Sequence, residues 1–371
     1  MKQKYISYLL CFMVTLGALI ISETEAKGQV KPSPSGNYDH KFFVGKINGR
    51  WKVMMTLNKQ KRGKTEKNNL TGYYYYKRTK GYLRLNGTWK ANGSILAEEK
   101  AQQNSKWVKT GAFAGRYDAT TKKIAGTWTS ADGKKSYPFE LKENYRGGIR
   151  AEMLYIDEAN ILGKDSPRGV TISFLYPRFQ GGKVADKINQ FIQERLVKNY
   201  EQRIRKFVKE FEDFKKENGD NGVFFNEENL ITIEVNEKNI LTLVYNQSGF
   251  TGGAHGYYNS TYYTFNLRDG SLIQIPELWY PGAEAAIQAL IAKQIRKDAQ
   301  LKPNESLSKV AINSEKPPIA KNIYPRPDGI AFFYNTYEIG PYVAGSRLTV
   351  VPYRQIKRYI KRRTPLRTYM R

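Results

Sequence analysis

Two stretches in the first half of the chain repeat each other, and their glycines restrict how this region can fold. Gly87-Thr88-Trp89 recurs as Gly126-Thr127-Trp128, 39 residues further on, and Asn92-Gly93 is matched by Asp132-Gly133. Asn-Gly and Asp-Gly pairs favour the type I′ turns that join neighbouring antiparallel strands. The repeat therefore predicts a domain over residues 37–145, an all-β meander of six to eight strands in a small barrel or sandwich.

The repeated tryptophans, Trp89 and Trp128, allow two interpretations. They can form an aromatic platform for a ligand, or they can be core residues that recur because the hairpin recurs. We favour the core interpretation, since a large apolar ring is more often buried than used for binding.

A run of four tyrosines, Tyr73-Tyr74-Tyr75-Tyr76, precedes the cations Lys77, Arg78 and Lys80. Alternation along a strand sends two of the rings to each face, so one pair is expected in the core and the other exposed or half-exposed. Aromatic rings among cations suit sugars or single-stranded nucleic acid. A solvated hairpin tip is the favoured interpretation.

The second half of the chain has a different pattern, which predicts an α+β domain over residues 150–361. Apolar residues at helical spacing follow Val184 and continue to Phe211, and a second amphipathic helix is predicted over residues 282–299. Short apolar runs between and after them predict strands, two of which are joined by a turn at Asp269-Gly270. We expect an antiparallel sheet with helices on one face, so the protein is multidomain.

The N-terminus has the three parts of a secretory signal peptide over residues 1–26. Lys2 and Lys4 precede an apolar stretch, and the small residues Thr24 and Ala26 stand where a signal peptidase reads the chain. Alternatives are an uncleaved anchor or a lipoprotein attached at Cys11. We expect an exported protein, periplasmic or extracellular, whose mature chain begins near residue 27 with a linker over residues 27–36.

The single cysteine, Cys11, lies within this signal, so the mature chain is expected to have no disulfide and no cysteine-based metal site. No cofactor motif is present, and the two histidines, His40 and His255, lie in different domains and do not predict a zinc site. Ser306 and Lys309 match a Ser-x-x-Lys motif, but without its partner motifs the match is expected by chance.

The charge is strongly positive and unevenly distributed. The formal net charge is +27, and residues up to Tyr145 hold 27 Lys and Arg against 10 Asp and Glu. Such a field attracts polyanions, among them envelope polymers and anionic lipid surfaces, although simple solubility is an equal explanation. Export from the cytoplasm disfavours nucleic acid as a partner.

The C-terminus is the most basic segment, with eight Lys and Arg and no acid from Pro352 onward. Residues 353–361 predict a short helix with Ile356 and Ile360 turned towards the sheet, followed by a basic tail over residues 362–371. One face of this helix is expected to collect five polyanion-binding candidates: Arg354, Lys357, Arg358, Lys361 and Arg362. They form either a solvated face or an anchor for anionic polymer or lipid headgroups, giving peripheral membrane contact. In both cases, truncation after Pro352 is expected to leave folding nearly intact.

Several strings in the second domain resemble a known family. Thr251-Gly252-Gly253-Ala254-His255-Gly256, Leu267-Arg268-Asp269-Gly270, Tyr337-Glu338-Ile339-Gly340-Pro341-Tyr342 and Pro352-Tyr353 resemble the RsiV-type C-terminal domain, a domain of unknown function. Tyr176-Pro177 and Ile188-Asn189 resemble the domain that precedes it there, which also occurs at the N-terminus of the peptidoglycan deacetylase PdaC. The resemblance covers residues 150–361, and the first domain resembles nothing known to us.

The resemblance implies a binding module. In the anti-sigma factors of this family, the extracytoplasmic domain binds lysozyme, and in the deacetylase the related domain is a non-catalytic appendage. This chain has no anti-sigma segment before its apolar stretch, and its positive charge disfavours a basic partner such as lysozyme.

From these strings we select seven ligand-binding candidates and expect them to lie together as a ligand-facing rim. They are Gly252, Gly253, His255, Gly256, Tyr337, Glu338 and Tyr342. Gly340 and Pro341 should fix a bend between strands, with Tyr337 and Tyr342 on either side. His255, between turn-forming glycines, is interpreted as a structural hydrogen-bonding residue, and no catalytic residue is assigned.

Two functional classes remain. The leading hypothesis is an exported, non-catalytic binding protein of the cell envelope that recognises peptidoglycan, an anionic envelope polymer or a lysozyme-like protein. Its partner would be an envelope polysaccharide or an extracytoplasmic protein, and no cofactor is expected. The alternative is a carboxylate-dependent hydrolase that acts on cell-wall glycan, because paired carboxylates need no local motif.

Overall fold

The structure is a computed structural model that describes residues 32–34, 38–60, 69–103, 106–220 and 222–370. The expected signal peptide, including Cys11, lies outside the described residues. None of the helices described is both long and apolar enough to span a membrane.

The first domain is a closed barrel of eight antiparallel strands, each paired with the next along the chain. A short strand, β1 (Ser33–Pro34), precedes the barrel and pairs with the second domain. The barrel strands are β2 (Tyr38–Ile47), β3 (Trp51–Gln60), β4 (Leu70–Tyr76), β5 (Leu83–Trp89), β6 (Ser94–Gln103), β7 (Lys106–Asp118), β8 (Lys123–Ser130) and β9 (Ser136–Glu143). Pairing between β2 and β9 closes the barrel, and inward-facing apolar side chains fill it. The predicted all-β meander is confirmed as a barrel.

The turns of the repeat differ from the prediction in one detail. Gly93 and Gly133 have positive φ angles of 87° and 73°, whereas Asn92 and Asp132 do not, so neither pair forms a type I′ turn. Both side chains instead accept a hydrogen bond from the backbone N–H two residues later, as in an Asx turn. The two positive φ angles of a type I′ turn occur at Asn48-Gly49, between β2 and β3.

The two repeated tryptophans have different environments. Trp89 is 3% exposed and belongs to the barrel core, as expected. Trp128 is half-buried and packs against that core from the edge, near the end of β8. The core interpretation therefore holds for Trp89 and only partly for Trp128.

The second domain contains a seven-stranded sheet, in which five of the six strand pairings are antiparallel. In spatial order the sheet comprises β1, β10 (Arg150–Asp157), β11 (Val170–Gln180), β12 (Phe225–Glu237), β13 (Ile240–Phe250), β14 (Tyr257–Asn266) and β15 (Ser271–Leu272). The exception to the predicted antiparallel order is the β11–β12 pair, which is parallel. A parallel pair needs a long crossover, and the predicted amphipathic helices supply it.

The crossover contains two α-helices joined by a π-helical turn. They are α2 (Gly182–Phe191) and α3 (Tyr200–Asn218), with the π-turn at Ile192–Val197, and they follow the short α1 (Glu158–Leu162). Their apolar faces, including Ile188, Ile204 and Phe211, are buried in the core over this sheet. The predicted α+β class is thus confirmed.

A second, smaller core lies around a three-stranded antiparallel sheet. This sheet contains β16 (Asn322–Pro325), β17 (Gly329–Tyr334) and β18 (Arg347–Pro352). Helix α4 (Glu284–Asp298) packs on β18 and contributes Ile287, Ile291 and Ile295 to this core. Four 3₁₀ turns complete the connections up to β18: Gly163–Asp165, Ile275–Leu278, Leu307–Val310 and Tyr342–Ala344.

The C-terminal segment is part of this core, which contradicts the expectation of a dispensable basic tail. It forms α5 (Tyr353–Ile356), a 3₁₀ turn (Lys357–Tyr359) and α6 (Arg367–Met370). Ile356 and Ile360 are buried as predicted, but so are Leu366 and Tyr369, at 0% exposure. Because truncation after Pro352 would remove these side chains from the core, we expect it to unfold the domain.

The barrel contacts the second domain through the outward-facing tyrosines of β4. The Tyr73 hydroxyl donates to the carbonyl oxygen of Glu234 at 2.5 Å, and the Tyr75 hydroxyl donates to the carboxylate of Glu237. The expectation that this pair is exposed was therefore wrong for Tyr75, which is 1% exposed. From the second domain, Arg326 lies 3.8 Å from the ring centroid of Tyr82.

Glu237 is the most buried carboxylate at this contact. It is 4% exposed, and its Oε1 has no hydrogen-bond partner among the described residues. Burial raises the pKa of Glu237 above its ordinary value, although Lys238 opposes the shift. The C-terminal segment covers the same site, because the Tyr369 hydroxyl donates to the Glu237 carbonyl oxygen at 3.4 Å.

We predict that Glu237→Gln reduces the loss of stability at rising pH. A carboxyl whose pKa is raised in the folded state keeps its proton longer there than in the unfolded chain. Its ionisation therefore costs stability as pH rises above the ordinary value of 4.5. Glutamine does not titrate, so the fall in melting temperature from pH 5 to pH 8 should be smaller in Glu237→Gln than in the wild type. Exposed Glu212, changed to Gln, serves as the control, and parallel pH profiles for all three proteins would contradict the prediction.

Candidate functional site

The predicted rim forms where the loop between β13 and β14 meets the segment between β17 and β18. The ring of His255 stacks on that of Tyr342, with centroids 4.1 Å apart and planes 22° from parallel. The Tyr342 hydroxyl donates to the carbonyl oxygen of Gly256 at 3.2 Å. The predicted adjacency of these two segments is confirmed.

Tyr337 lies beside this stack, with its ring centroid 5.7 Å from that of Tyr342. The bend itself exists, and Gly340 is required in it because a Cβ would lie 2.1 Å from the carbonyl oxygen of Ala311.

The Gly252–Gly256 loop owes its shape to backbone angles that other residues rarely adopt. Gly252 and Gly253 have φ angles of 86° and 89°. The reversal brings His255 to the surface, where its Nδ1 lies 2.9 Å from the Gly256 carbonyl oxygen and donates to it. His255 thus makes the structural hydrogen bond expected of it.

Asn335, which the sequence analysis did not select, fastens the second segment to the sheet. Its side chain is 8% exposed, accepts from the Ser260 N–H at 2.7 Å and donates to the Ser260 carbonyl oxygen at 2.9 Å. Glu338 closes the turn that follows, because its carboxylate accepts from the Asn335 N–H at 3.1 Å. Of the seven candidates, Glu338 therefore has a structural partner within its own turn.

The rim presents exposed aromatic and apolar side chains. Tyr337 is 65% exposed, Tyr342 is 42% exposed and Val343 is 88% exposed, and the neighbouring Tyr257 and Tyr258 are also exposed. Exposed apolar side chains are common singly, but such a group at one place is a candidate interaction surface.

The rim also contains no Lys or Arg, in a protein that is otherwise strongly basic. No Asp, Glu, Lys or Arg occurs from Asn239 to Leu267, and Glu338 is the single charged residue from Gly329 to Ser346. Beside the rim, the Tyr257 hydroxyl donates to the carboxylate of Glu227, which pairs with Arg203.

The other sequence-selected groups have local partners. Ser306 caps a 3₁₀ turn and Lys309 pairs with Glu305 at 2.8 Å, so they do not face each other as a catalytic pair. His40 is buried in the barrel and bonds to Asn58, and burial lowers its pKa. Among the residues that the structure describes, no three His, Cys, Asp or Glu side chains are grouped to hold a metal.

The five C-terminal polyanion candidates are all exposed, but they do not share one helix face. The helical part ends at Tyr359, so Lys361 and Arg362 follow it. Arg362 instead joins Arg268, Arg363 and Arg367 around a cavity of about 450 Å³. The sequence missed this cluster because Arg268 comes from the turn before β15, far away along the chain.

Comparison with known proteins identifies the second domain as a two-part architecture. Residues 167–258 match the family described as Deacetylase PdaC, and residues 276–354 match the family described as Protein of unknown function (DUF3298). The chain therefore has a PdaC-like region followed by a DUF3298 region, as the resemblance predicted. The rim takes the Gly252–Gly256 loop from the first matched region and Tyr337–Tyr342 from the second.

Two solved structures are similar to this chain. A member of the DUF3298 family from Bacteroides fragilis is 22% identical, with a TM-score of 0.50, and the match covers 62% of this chain and 99% of that one. A DUF3298 family protein from Pseudomonas aeruginosa PAO1 is 14% identical, with a TM-score of 0.43, over 58% of this chain and 95% of that one. The first supports the fold alone. No curated protein matches the chain.

We predict that Tyr337 is held in a strained backbone conformation. Its φ angle is +72°, which costs a residue with a side chain about 1 kcal/mol or more, and its exposed ring regains little of this by packing. Tyr337→Gly should therefore be more stable than Tyr337→Ala by about 1 kcal/mol in urea denaturation.

The same two substitutions at Tyr342 provide the control. Tyr342 begins a 3₁₀ turn and has no positive φ angle, so glycine should there be less stable than alanine. If Tyr337→Gly and Tyr337→Ala had the same free energy of unfolding, backbone strain at Tyr337 would be disproved.

Proposed function

We propose that this chain is an exported, non-catalytic binding protein of the cell envelope whose aromatic rim contacts an extracytoplasmic protein. The PdaC-like and DUF3298 regions suggest a protein associated with the cell envelope. The observation that carries the proposal further is the uncharged, exposed group of Tyr337, Tyr342 and His255.

The composition of the rim favours a protein over an anionic polymer as its partner. The centres of protein interfaces are depleted of charged residues and enriched in aromatic ones, particularly tyrosine. A polyanion would instead need cations, and the two segments that build the rim contain no Lys or Arg.

The strain at Tyr337 supports a binding role. Residues in costly backbone conformations concentrate where a side chain must be presented to a ligand. Because the ring of Tyr337 is mostly exposed, core packing does not account for its conformation. Contact with a partner would account for it.

A lysozyme-like partner is compatible with this surface. The overall positive charge opposes approach of a basic protein, but the rim has no Lys or Arg and includes Glu338, so direct contact there would bring no two cations together. Repulsion would act at long range and would be screened beyond about 8–10 Å at physiological salt.

The alternative, a carboxylate-dependent hydrolase of cell-wall glycan, has less support. A general acid needs a raised pKa, and burial raises the pKa of Glu234, Glu237 and Asp298. The first two lie at the contact between the barrel and the second domain, where the Glu237 carboxylate accepts from Tyr75 and the Glu234 carboxylate accepts from Tyr324. His255, the other candidate, is engaged with Gly256.

Site-specific photocrosslinking tests the proposal in intact cells. The photoreactive residue p-benzoylphenylalanine replaces Tyr337 in one variant and Tyr280 in another, because Tyr280 is 40% exposed but lies outside the rim. We expect an adduct with a discrete protein from position 337 and none from position 280, because only the first position lies in the contact.

Binding of the captured partner to purified chain completes the test. Tyr342→Ala should weaken binding about 30-fold, as expected for truncation of a tyrosine at the centre of an interface, whereas Tyr280→Ala should leave it unchanged. Adducts of equal yield at both positions would contradict the proposal. If position 337 instead gave a heterogeneous adduct whose mass fell on muramidase digestion, the partner would be peptidoglycan and not a protein.

A further inference from the structure

One end of the barrel opens into a cavity of about 880 Å³ that belongs to none of the sites described above. It lies where the turn between β2 and β3, the segment after β4 and the turn between β8 and β9 come together. Small-molecule sites typically enclose about 300–1,000 Å³ and occur at the mouths of β-barrels. We refer to this cavity as the barrel mouth.

Four aromatic side chains line the barrel mouth: Trp51, Tyr76, Trp128 and Tyr137. Trp51 meets Tyr137 edge to face with ring centroids 5.0 Å apart, and Trp128 lies nearly parallel to Tyr137 at 5.9 Å. All four are half-buried and pack against the edge of the barrel core. Each ring is therefore held in place by the barrel core on one side and remains accessible from the cavity on the other.

Trp128 is held in position by a buried carboxylate. Its Nε1–H donates to Glu99 at 2.7 Å, and Glu99, 3% exposed, also accepts from Tyr74 and from Thr110 at 2.6 Å. A side chain fixed by a network of this kind loses little conformational freedom on binding, which favours affinity. The arrangement is typical of a preorganised site.

Five cations complete the lining, and no acid is among the lining residues. They are Arg50, Lys52, Lys77, Arg78 and Lys135. None of them takes part in a salt bridge within the described ranges, whereas Lys100, Lys109 and Lys123 elsewhere on the barrel do. Charges of one sign around a concave surface concentrate their electric field in it, so these cations attract an anion.

The floor of the barrel mouth is closed. Apolar side chains, including Ile47, Tyr74 and Phe139, are buried at or below 4% exposure and fill the barrel interior. The site therefore accepts a short ligand or the end of a polymer, and nothing can pass through the barrel.

We propose that the barrel mouth binds an anionic saccharide, a pyranose unit that carries carboxylate or phosphate groups. The C–H face of a pyranose ring packs on aromatic rings such as Trp51 and Trp128. The anionic substituents would pair with the surrounding cations, of which arginine matches carboxylate and phosphate bidentately. We choose anionic saccharides as the ligand class because the cavity combines flat apolar rings with cations that have no salt-bridge partner among the described residues.

Single-stranded nucleic acid fits these features less well. Base stacking needs successive exposed rings along a groove. In the tyrosine run of β4, Tyr73 and Tyr75 contact the second domain, so Tyr76 is the one tyrosine of this run that lines the cavity. Because the floor of the barrel mouth is closed, the cavity also suits the end of a chain better than a strand that would pass through it.

The barrel contains a matched control for the site. Arg50 lies 4.8 Å from the ring centroid of Trp51 within the barrel mouth, and Arg84 lies 4.4 Å from that of Trp107 outside it. Trp107 is 38% exposed and does not line the cavity. Loss of either tryptophan removes the same kind of cation–π contact, but only Trp51 faces the proposed ligand.

Isothermal titration calorimetry of the full chain tests the proposal with defined probes. Tetragalacturonate carries one carboxylate on each α-1,4-linked ring, and maltotetraose is its neutral counterpart. We expect one tetragalacturonate to bind per chain at least tenfold more tightly than maltotetraose, inorganic phosphate or a ten-nucleotide oligothymidylate. Binding should weaken as salt rises from 20 to 200 mM, because the cations are exposed to solvent.

Three variants locate the binding site. Trp51→Ala should weaken tetragalacturonate binding at least tenfold, and Trp107→Ala should change it less than twofold. Because Trp51→Ala also removes packing against the barrel core, the double variant Arg78→Glu/Lys135→Glu alters two exposed positions instead. It should lose at least tenfold in affinity at an unchanged melting temperature.

The proposal is overturned if tetragalacturonate does not bind, or if phosphate binds as tightly, because the aromatic rings would then contribute nothing. It is also overturned if oligothymidylate binds as tightly, or if Trp107→Ala loses as much affinity as Trp51→Ala. If Arg78→Glu/Lys135→Glu bound tetragalacturonate as tightly as the wild type, the anion would bind elsewhere and the proposal would also be overturned.

Discussion

The contact between the barrel and the second domain is the interaction on which the rest of the structure depends. The Tyr75 hydroxyl donates to Glu237, a carboxylate buried at the turn between β12 and β13. Burying such a group without a partner would cost several kcal/mol, so the tyrosine and the carboxylate require each other. Tyr369 from the C-terminal segment covers the same turn, so the barrel, the central sheet and the end of the chain meet at one point.

The cations of this protein lie away from its aromatic rim. The cations concentrate around the barrel mouth and around Arg268 and Arg362, whereas the rim at Tyr337 and Tyr342 has no Lys or Arg. Polyanions and protein surfaces are recognised by different chemistry, the first by cations and the second by desolvated aromatic rings. The two proposed sites therefore lie on separate surfaces and would not compete for a ligand.

Much of this fold could be predicted from the sequence, because its determinants are local. The Gly-Thr-Trp repeat predicts the β-meander of the first domain, as a barrel or a sandwich, and the apolar spacing from Val184 to Phe211 predicts the helices of the crossover. The prediction that His255 and Tyr342 would be neighbours is confirmed by the ring stacking. That prediction assigned both strings to one domain, whereas they match two successive family regions.

What could not be predicted depends on partners far apart along the chain. Nothing near Tyr75 indicates that it will meet Glu237, and nothing near Arg362 indicates Arg268. The C-terminal segment was misinterpreted because its charges are conspicuous and its buried residues, Leu366 and Tyr369, are widely spaced. The barrel mouth was missed because Trp51 lies outside the clear part of the repeat and joins Trp128 only when the barrel closes.

The central claim is that the barrel and the second domain form one unit joined through Tyr75 and Glu237. Differential scanning calorimetry of the full chain at neutral pH tests it directly. A single transition, with equal calorimetric and van't Hoff enthalpies, is expected, because melting either part would expose the buried carboxylate of the contact. Two resolved transitions, one for the barrel and one for the α+β domain, would contradict it.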